Sequence, residues 1–158
     1  MESTYNPPVP SLQFLARFEV ELGSLIELGD TGAGKKRIIP INGGRFEGPN
    51  FKGSILPGGA DWQLVQNDGV ARIDTRYHLK TDDGAILTIA TQGVRHGPPE
   101  VITALAKGKK VDPARYYFRF NIRFETGASK YAWLTRSIAV GSGMRLANAV
   151  IYDAYVLI

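Results

Sequence analysis

The chain has 158 residues, of which 44% are hydrophobic and 22% are charged, and its formal net charge is +4. This size and composition are typical of one globular domain, so residues 1–158 are expected to fold as a unit, and disordered or collagen-like chains are excluded. With no cysteine and only two histidines, disulfides, a thiolate nucleophile and thiolate-bound metals are excluded. We therefore predict neither a metal site nor a cofactor.

Charge and hydropathy bear on partners and location. No apolar run approaches the roughly 18 residues that a membrane span needs, and the N-terminus lacks the basic region and apolar core of a secretory signal. We therefore expect no membrane association and a cytoplasmic location. The basic runs at 35–37 and 107–110 are short and lie beside turn signals. We interpret them as solvated loops, and predict no nucleic-acid partner.

Alternation of apolar and polar residues predicts strands along most of the chain. The first spans 12–20, and a hairpin of 24–28 and 36–41 follows it around a glycine-rich turn. Further strands are predicted, each separated from the next by turn residues, at 45–56, 62–67, 70–79, 85–92, 115–125, 133–140 and 148–157.

One helix is predicted near 98–107, because Pro98 and Pro99 suit a first turn, apolar residues recur at helical spacing and Gly108 follows. About 8–10 short strands with a single helix exclude a parallel sheet, which needs a crossover between successive strands. The fold class is therefore all-β, and an antiparallel barrel is favoured over a sandwich because closure removes exposed sheet edges.

The run from Gly29 to Lys36 resembles a nucleotide-binding loop until its last position. That motif needs Ser or Thr after the lysine, to hold magnesium, and a helix facing the phosphates. Here Lys36 takes the position of the hydroxyl, and a strand pattern ending at Pro40 follows. The run is therefore interpreted as a hairpin turn.

Two predicted strands each have one strongly polar face. Strand 70–79 places Asp74 and Arg76 on one side, together with Arg72 and His78, and strand 115–125 places Tyr117 and Arg119 on one side. Each face is either the solvent side of a barrel strand or the lining of a cavity. Two such strands together make a shared lining more plausible than either strand alone.

Asp61 and Trp62 follow the turn Pro57-Gly58-Gly59. A carboxylate beside an indole can be partly desolvated, which raises its pKa and suits proton transfer. An ordinary turn in which Asp61 caps local amides explains the pattern equally well.

Many short pieces, in order, resemble one protein family over nearly the whole chain: Gly44-Arg45-Phe46-Glu47-Gly48-Pro49, Pro57-Gly58-Gly59-Ala60-Asp61-Trp62, Ile73-Asp74-Thr75-Arg76-Tyr77, Thr81-Asp82-Asp83-Gly84-Ala85, Tyr117-Phe118-Arg119, Phe124-Glu125-Thr126 and Trp133-Leu134. The family is the domain of unknown function 3237, also called uncharacterised protein family 0311. The resemblance implies a single β-barrel domain, often oligomeric, with no established general activity. It further implies that some relatives act as cofactor-free cyclases or isomerases on aromatic or polyketide compounds. The matching pocket positions are Asp61, Trp62, Asp74, Arg76, Arg119 and Trp133.

The leading hypothesis is a barrel that binds a small organic molecule and acts as a cofactor-free isomerase or cyclase by proton transfer. Asp61 or Asp74 would move the proton, and Arg76 and Arg119 would stabilise the developing negative charge. The stacking walls would be Trp62, Tyr117 and Trp133. The alternative is a noncatalytic ligand-binding or scaffold protein in which these charges form structural ion pairs.

The last predicted strand, 148–157, is apolar on both faces apart from Asp153. A strand covered on both sides lies deep in a fold or at a subunit contact. We therefore predict a homo-oligomer, either a dimer or a tetramer.

Overall fold

A computed structural model describes residues 5–158 and shows a closed antiparallel barrel of eight strands with extra strands added. The predicted fold class is confirmed. Residues 1–4, on which part of the N-terminal expectation rests, lie outside the described residues. The strands are β1 Leu12–Leu22, β2 Ile26–Asp30, β3 Lys35–Glu47, β4 Gly53–Ile55, β5 Ala60–Val65, β6 Ala71–Thr81, β7 Ile86–His96, β8 Tyr117–Glu125, β9 Ala139–Arg145 and β10 Ala149–Leu157.

The ring closes through β1, which pairs with β10 on one side and with β3 on the other. From β10 the order runs through β9, β8 and β7 to β6. Two strands, β4 and β5, share the position between β6 and β3, and β2 extends β3 as a hairpin. Sequential antiparallel pairing of this kind needs only short turns, which is why the turn residues in the sequence locate the strands so well.

Within residues 5–158 the single α-helix, α1, spans Pro99–Ala106 and buries Val101 and Leu105 against the barrel. Proline occupies its first turn and Gly108 follows it with a φ of 73°, as the sequence predicts. Two separate 3₁₀ segments follow later in the described chain, at Pro113–Arg115 and Ser129–Arg136.

The chain departs from the predicted elements in three main places. In the first, β3 continues through residues 42–44, which separate the strands predicted at 36–41 and 45–56. The predicted strand 133–140 is wrong in its first half, because Tyr131 and Leu134 are buried three positions apart within the 3₁₀ segment, and the strand proper begins at Ala139. The predicted strand 45–56 is divided, with the residues between β3 and β4 forming a bend. Proline at position 49 cannot continue a strand ladder.

The turn between β2 and β3 has the geometry of a hairpin and not of a phosphate loop. Asp30 Oδ1 accepts a hydrogen bond from the amide of Gly32 over 2.8 Å, and β3 follows the turn directly. Among residues 5–158, no helix is long and apolar enough to cross a membrane.

Alternate residues of most barrel strands face inward and form one apolar core, whereas β5 buries the polar Asp61 and Gln63. At one end this core is aromatic, with Phe18 stacked on Tyr152 at a ring-centroid distance of 4.6 Å. Glycines on β9 make room for the rings of β8, since a Cβ at Gly141 would lie 2.1 Å from the Phe120 ring. Further contacts among rings join Phe46, Phe51, Phe124 and Tyr131.

Candidate functional site

The polar face of β6 lies on the outside of the barrel. Ile73 and Tyr77 are buried, whereas Asp74 and Arg76 are exposed, because burial of apolar area fixes which side of a two-faced strand points inward. Asp74, Arg76 and Trp62 line an outer groove of about 290 Å³. The structure therefore does not bring these predicted residues into the interior, and any site that they form is external.

The other predicted residues are also external but line other grooves, one of which shares Gln92 and Asn121 with the groove of Asp74. Tyr117 and Arg119 share a second outer groove, where the Arg119 guanidinium lies 5.4 Å from the centroid of the Tyr117 ring. Trp133 belongs to the 3₁₀ segment Ser129–Arg136 and contributes to a third groove with Phe14. Of the residues predicted from the sequence, Asp61 alone lines the interior cavity.

Asp61 is held in the interior by the turn that precedes β5. Gly58 and Gly59 have φ values of 105° and 83°, and a Cβ at Gly59 would lie 2.1 Å from the Arg76 carbonyl oxygen. The glycines thus let β5 begin in close contact with β6. Asp61 Oδ1 then accepts a hydrogen bond from the amide of Asp74 over 3.0 Å.

Gln63, two positions along the same strand, holds Asp61 from the other side. Gln63 Nε2 donates to Asp61 Oδ2 over 2.8 Å, and Gln63 Oε1 accepts from Arg37 Nε over 2.8 Å. Because the arginine can only donate, it fixes which end of the amide faces the carboxylate. Arg37, Gln63 and Asp61 therefore form one ordered chain of hydrogen bonds from β3 to β5.

Two further arginines line the same cavity. Arg145 of β9 donates to the carbonyl oxygens of Leu146 and Ala149. Arg95 of β7 is only 8% exposed, and its guanidinium carbon lies 5.7 Å from the centroid of the Phe118 ring. Arg37 lies behind this lining and reaches Asp61 through Gln63, so three guanidinium groups act electrostatically on one carboxylate.

The rest of the wall is apolar, with two pairs of hydroxyls. Tyr77 and Tyr152 have their hydroxyl oxygens 2.6 Å apart, and Thr75 and Thr91 are joined over 2.6 Å. Each pair has two hydroxyl hydrogens and uses one of them internally, so each can offer the second to a ligand. The cavity is lined by Val20, Leu22, Ile39, Ile41, Ile73, Phe118, Phe120 and Val150 besides these polar groups.

The open volume of this cavity is about 50 Å³. Since one water-sized group needs about 10–15 Å³, the cavity holds a few such groups with the side chains in their present positions. A carboxylate or carbonyl group fits this space. A larger ligand must displace the half-buried side chain of Arg145, which lines the cavity.

Burial dominates the electrostatics of the site. It raises the pKa of Asp61 above its ordinary value, against the hydrogen bonds from Asp74 and Gln63 and the charges of Arg95 and Arg37. Burial also lowers the pKa of Arg95 to about 10, and repulsion from Arg145 and Arg37 adds to this. The site thus combines a carboxylate whose basicity is increased with positive charge that can stabilise an oxyanion.

The sequence reasoning missed Arg37, Gln63, Arg95 and Arg145. A signal for Arg95 exists, because it continues the buried alternation of Leu87, Ile89 and Thr91 along β7. The predicted strand 85–92 does not extend to Arg95. A charged residue in phase with a buried apolar face is therefore the pattern that identifies this site.

Three comparisons bear on the family. A β-barrel-like protein from Acinetobacter baumannii has a crystal structure with a TM-score of 0.88 and 56% sequence identity, and the match covers 98% of this chain and 100% of that chain. A UPF0311 protein from Rhodopseudomonas palustris is 36% identical over 148 residues, which are 94% of this chain and 97% of that protein. Its crystal structure matches with a TM-score of 0.93 and covers 96% of this chain and 100% of its own.

A more distant relative is the hydroalkoxylation enzyme phnH from Penicillium herquei, 26% identical over 137 residues that are 87% of this chain and 76% of that protein. The family model described as "Protein of unknown function (DUF3237)" matches residues 10–157. The chain therefore belongs to the DUF3237 family, as the order of its short motifs predicts.

Proposed function

We propose that this protein binds a small oxygen-bearing organic molecule inside the barrel and transfers a proton at Asp61. The observation that carries the proposal is the placement of Asp61, a buried carboxylate held by Gln63 and the Asp74 amide, in an apolar-walled cavity that also contains Arg95. Convergent polar groups in an apolar cavity are the usual form of a ligand site.

Asp61 acts as the general base in this proposal. Its two hydrogen bonds use only part of the acceptor capacity of a carboxylate, which leaves lone pairs for a substrate proton. The increased basicity that follows from burial improves proton abstraction near neutral pH. The unused hydroxyl hydrogen of the Tyr77–Tyr152 pair faces the same cavity and stabilises the oxyanion left behind, and the positive charge of Arg95 in the cavity lining adds to this stabilisation.

The relationship to phnH supports an isomerase or cyclase over other reaction classes. Hydroalkoxylation adds an O–H group across a carbon–carbon multiple bond, so a proton leaves oxygen, a proton arrives at carbon and no electrons are exchanged with a cofactor. One buried carboxylate with adjacent positive charge provides what such a reaction needs. At 26% identity this activity supports the reaction class and names no substrate.

A noncatalytic scaffold is the second candidate, and exposed apolar side chains on the outer face favour it. Leu12 is 58% exposed, Phe14 42% and Tyr117 46%, and Tyr155 on β10 packs against Phe14. Contiguous exposed apolar groups mark contact surfaces. The predicted dimer or tetramer would use this face, and its formation is compatible with a site inside each barrel.

The test measures proton transfer directly. Cyclohexanone, followed by solvent deuterium incorporation, and 2-allylphenol, followed by ring closure, are incubated with the wild type and with Asp61→Asn. We expect a rate above buffer for at least one compound and a loss of at least 100-fold in Asp61→Asn, in line with about 10²–10⁴ for a general base.

Two further variants locate the effect. Asp82→Asn changes an exposed carboxylate in the turn after β6 and serves as the matched control, with an unchanged rate. Loss of activity in Asp74→Asn but not in Asp61→Asn would move the site to the outer groove. A wild-type rate equal to buffer for both compounds would favour the noncatalytic alternative.

A further inference from the structure

Arg95 is a buried cation without a polar protein partner. Within residues 5–158, none of the hydrogen bonds or ion pairs of the structure involves the Arg95 guanidinium, and the side chain is 8% exposed. Buried charges in proteins are almost always paired or hydrogen-bonded. Arg95 lines the cavity, and its five N–H donors have no protein acceptor among the described residues, so the guanidinium group is available to bind a ligand.

The nearby carboxylate does not fill this role. Asp61 directs one oxygen to the amide of Asp74 and the other to Gln63, and no ion pair within 4.0 Å joins it to Arg95 in the part of the chain described here. Arg145 lines the same cavity, whereas Asp61 is the one acidic residue in its lining. The excess of positive charge thus favours an anionic ligand.

The geometry of the group favours one class of anion. A guanidinium presents parallel N–H donors that match the two oxygens of a carboxylate, and such bidentate pairs are stronger than single neutral hydrogen bonds. The open volume of about 50 Å³ accommodates a carboxylate. The Arg95 side chain is only 8% exposed in the free protein, so a ligand bears little of its desolvation cost on binding.

Building on the proposed function of this cavity, we propose that its ligand is a carboxylic acid whose carboxylate pairs with Arg95, while the apolar part of the ligand lies against the wall formed by Val20, Ile39 and Ile41. Arg95 is then the group that selects for charge. Asp61 remains the group that moves a proton elsewhere on the same molecule.

The experiment compares benzoate with benzamide, which has the same ring and a neutral amide in place of the carboxylate. Binding is measured by NMR titration of the full chain, following the Arg95 Nε–H resonance and the side-chain amide of Gln63. We expect benzoate to shift both resonances and to bind at least tenfold more tightly than benzamide. Arg95→Met should lose at least tenfold in benzoate affinity.

The matched control is Arg123→Met, an exposed arginine on the outer face of β8, which should bind benzoate like the wild type. Arg95→Lys keeps the charge but not the fork, and should give an intermediate affinity. If Arg95→Met fails to fold, the resonance shifts in the wild type carry the test alone.

The two proposals fail in different ways. Equal affinity for benzoate and benzamide, or unchanged benzoate binding in Arg95→Met, overturns the carboxylate assignment and leaves a ligand site at Asp61 in place. If neither compound, nor phenol as a third probe, shifts the Gln63 or Arg95 resonances at millimolar concentration, both proposals are overturned.

Discussion

Tyr77 on β6 and Tyr152 on β10 meet inside the barrel, with their hydroxyl oxygens 2.6 Å apart. Both rings are buried, at 2% and 3% exposure, and burial raises the pKa of both phenols. Tyr152 lies on β10, which pairs with β1 where the ring closes, and Tyr77 lies on β6; both side chains line the cavity. The pair therefore ties the shape of the cavity to the closure of the ring.

Removing one hydroxyl of this pair should lower the free energy of unfolding, because the remaining hydroxyl loses its hydrogen-bond partner. Tyr77→Phe or Tyr152→Phe leaves the other hydroxyl buried without its partner, at a cost of about 1–3 kcal/mol in the free energy of unfolding. The double variant should lose no more than one single variant. Urea denaturation of the four proteins checks this, and additive losses would show that the hydroxyls are not coupled.

Arg95→Met should leave the free energy of unfolding unchanged or raise it by about 1–2 kcal/mol at pH 7. Burial lowers the pKa of Arg95 from 12.5 to about 10, so the charged side chain is less stable in the folded state than in the unfolded state. Replacing it with methionine removes this cost and stabilises the fold, although the lost contact with Phe118 offsets part of the gain. Unfolding in guanidinium chloride measures the free energy of unfolding of the variant and of the wild type. A marked loss of stability, compared with Arg123→Met, would mean that the charge is structurally paired.

The stability of the wild type should also rise between pH 10 and pH 12, considering Arg95 alone. Above about pH 10 the folded state releases the Arg95 proton while the unfolded state keeps it, and stability increases with pH wherever the unfolded state binds more protons. The difference between wild type and Arg95→Met should therefore shrink over this range, and denaturation at several pH values checks it.

The proton-transfer rate should depend on pH through Asp61. The base must be ionised, and because burial raises the pKa of Asp61, the rate should rise with pH across a range above the ordinary value of 3.8. It should fall again near pH 10, where Arg95 loses its proton. A profile of kcat/KM against pH tests this, and a rate independent of pH would exclude Asp61 as the base.

Asp83→Asn should loosen the 3₁₀ segment Ser129–Arg136. Asp83 accepts hydrogen bonds from Lys130, Thr81 and Tyr131, and these hold the pKa of Asp83 well below its usual range. A lowered pKa in the folded state contributes stability that is present above the unfolded pKa and lost as pH falls below it. The variant should melt a few degrees lower at pH 7, with the difference disappearing in strong acid.

The control for Asp83→Asn is Asp82→Asn, the exposed neighbour whose contact with Lys52 is 3.9 Å long. Its melting temperature should match that of the wild type. Equal melting of both variants at pH 7 would mean that Asp83 does not anchor the segment.

Gly141→Ala should destabilise the barrel and disturb the cavity. The new methyl group would lie 2.1 Å from Cε2 of Phe120, a ring in the cavity wall, and overpacking of this kind costs about 1–3 kcal/mol. Gly127→Ala is the control, because no atom lies within 4 Å of its added Cβ. Thermal unfolding gives the melting temperature of each variant. If the double variant Gly141→Ala/Phe120→Leu regains the melting temperature that Gly141→Ala loses, the Phe120 ring is the cause of the loss.

The strands and the helix follow from the sequence because their signals are local. Period-two alternation, turn glycines and the prolines before α1 each act within a few residues. The segment 133–140 was misassigned because burial of Tyr131 and Leu134 against other parts of the chain outweighs the strand propensity of its residues.

The candidate site was only partly predictable. Asp61 was identified from its place after two glycines, but Asp74, Arg76, Tyr117 and Arg119 were grouped with it because their chemistry suits a site. They are exposed instead. The catalytic and stacking roles assigned to them, the oligomeric state and the cytoplasmic location remain predictions.

By itself, the sequence determined the all-β class, the positions of most strands, the helix and the family, since each depends on local patterns or on their order along the chain. Only the tertiary structure decided which polar residues meet. Asp61, Arg95 and Arg145 come from three different strands, and ring closure brings them to one cavity. Alternation gives every strand two faces, but the side on which a charge is buried depends on the partners that the closed barrel provides.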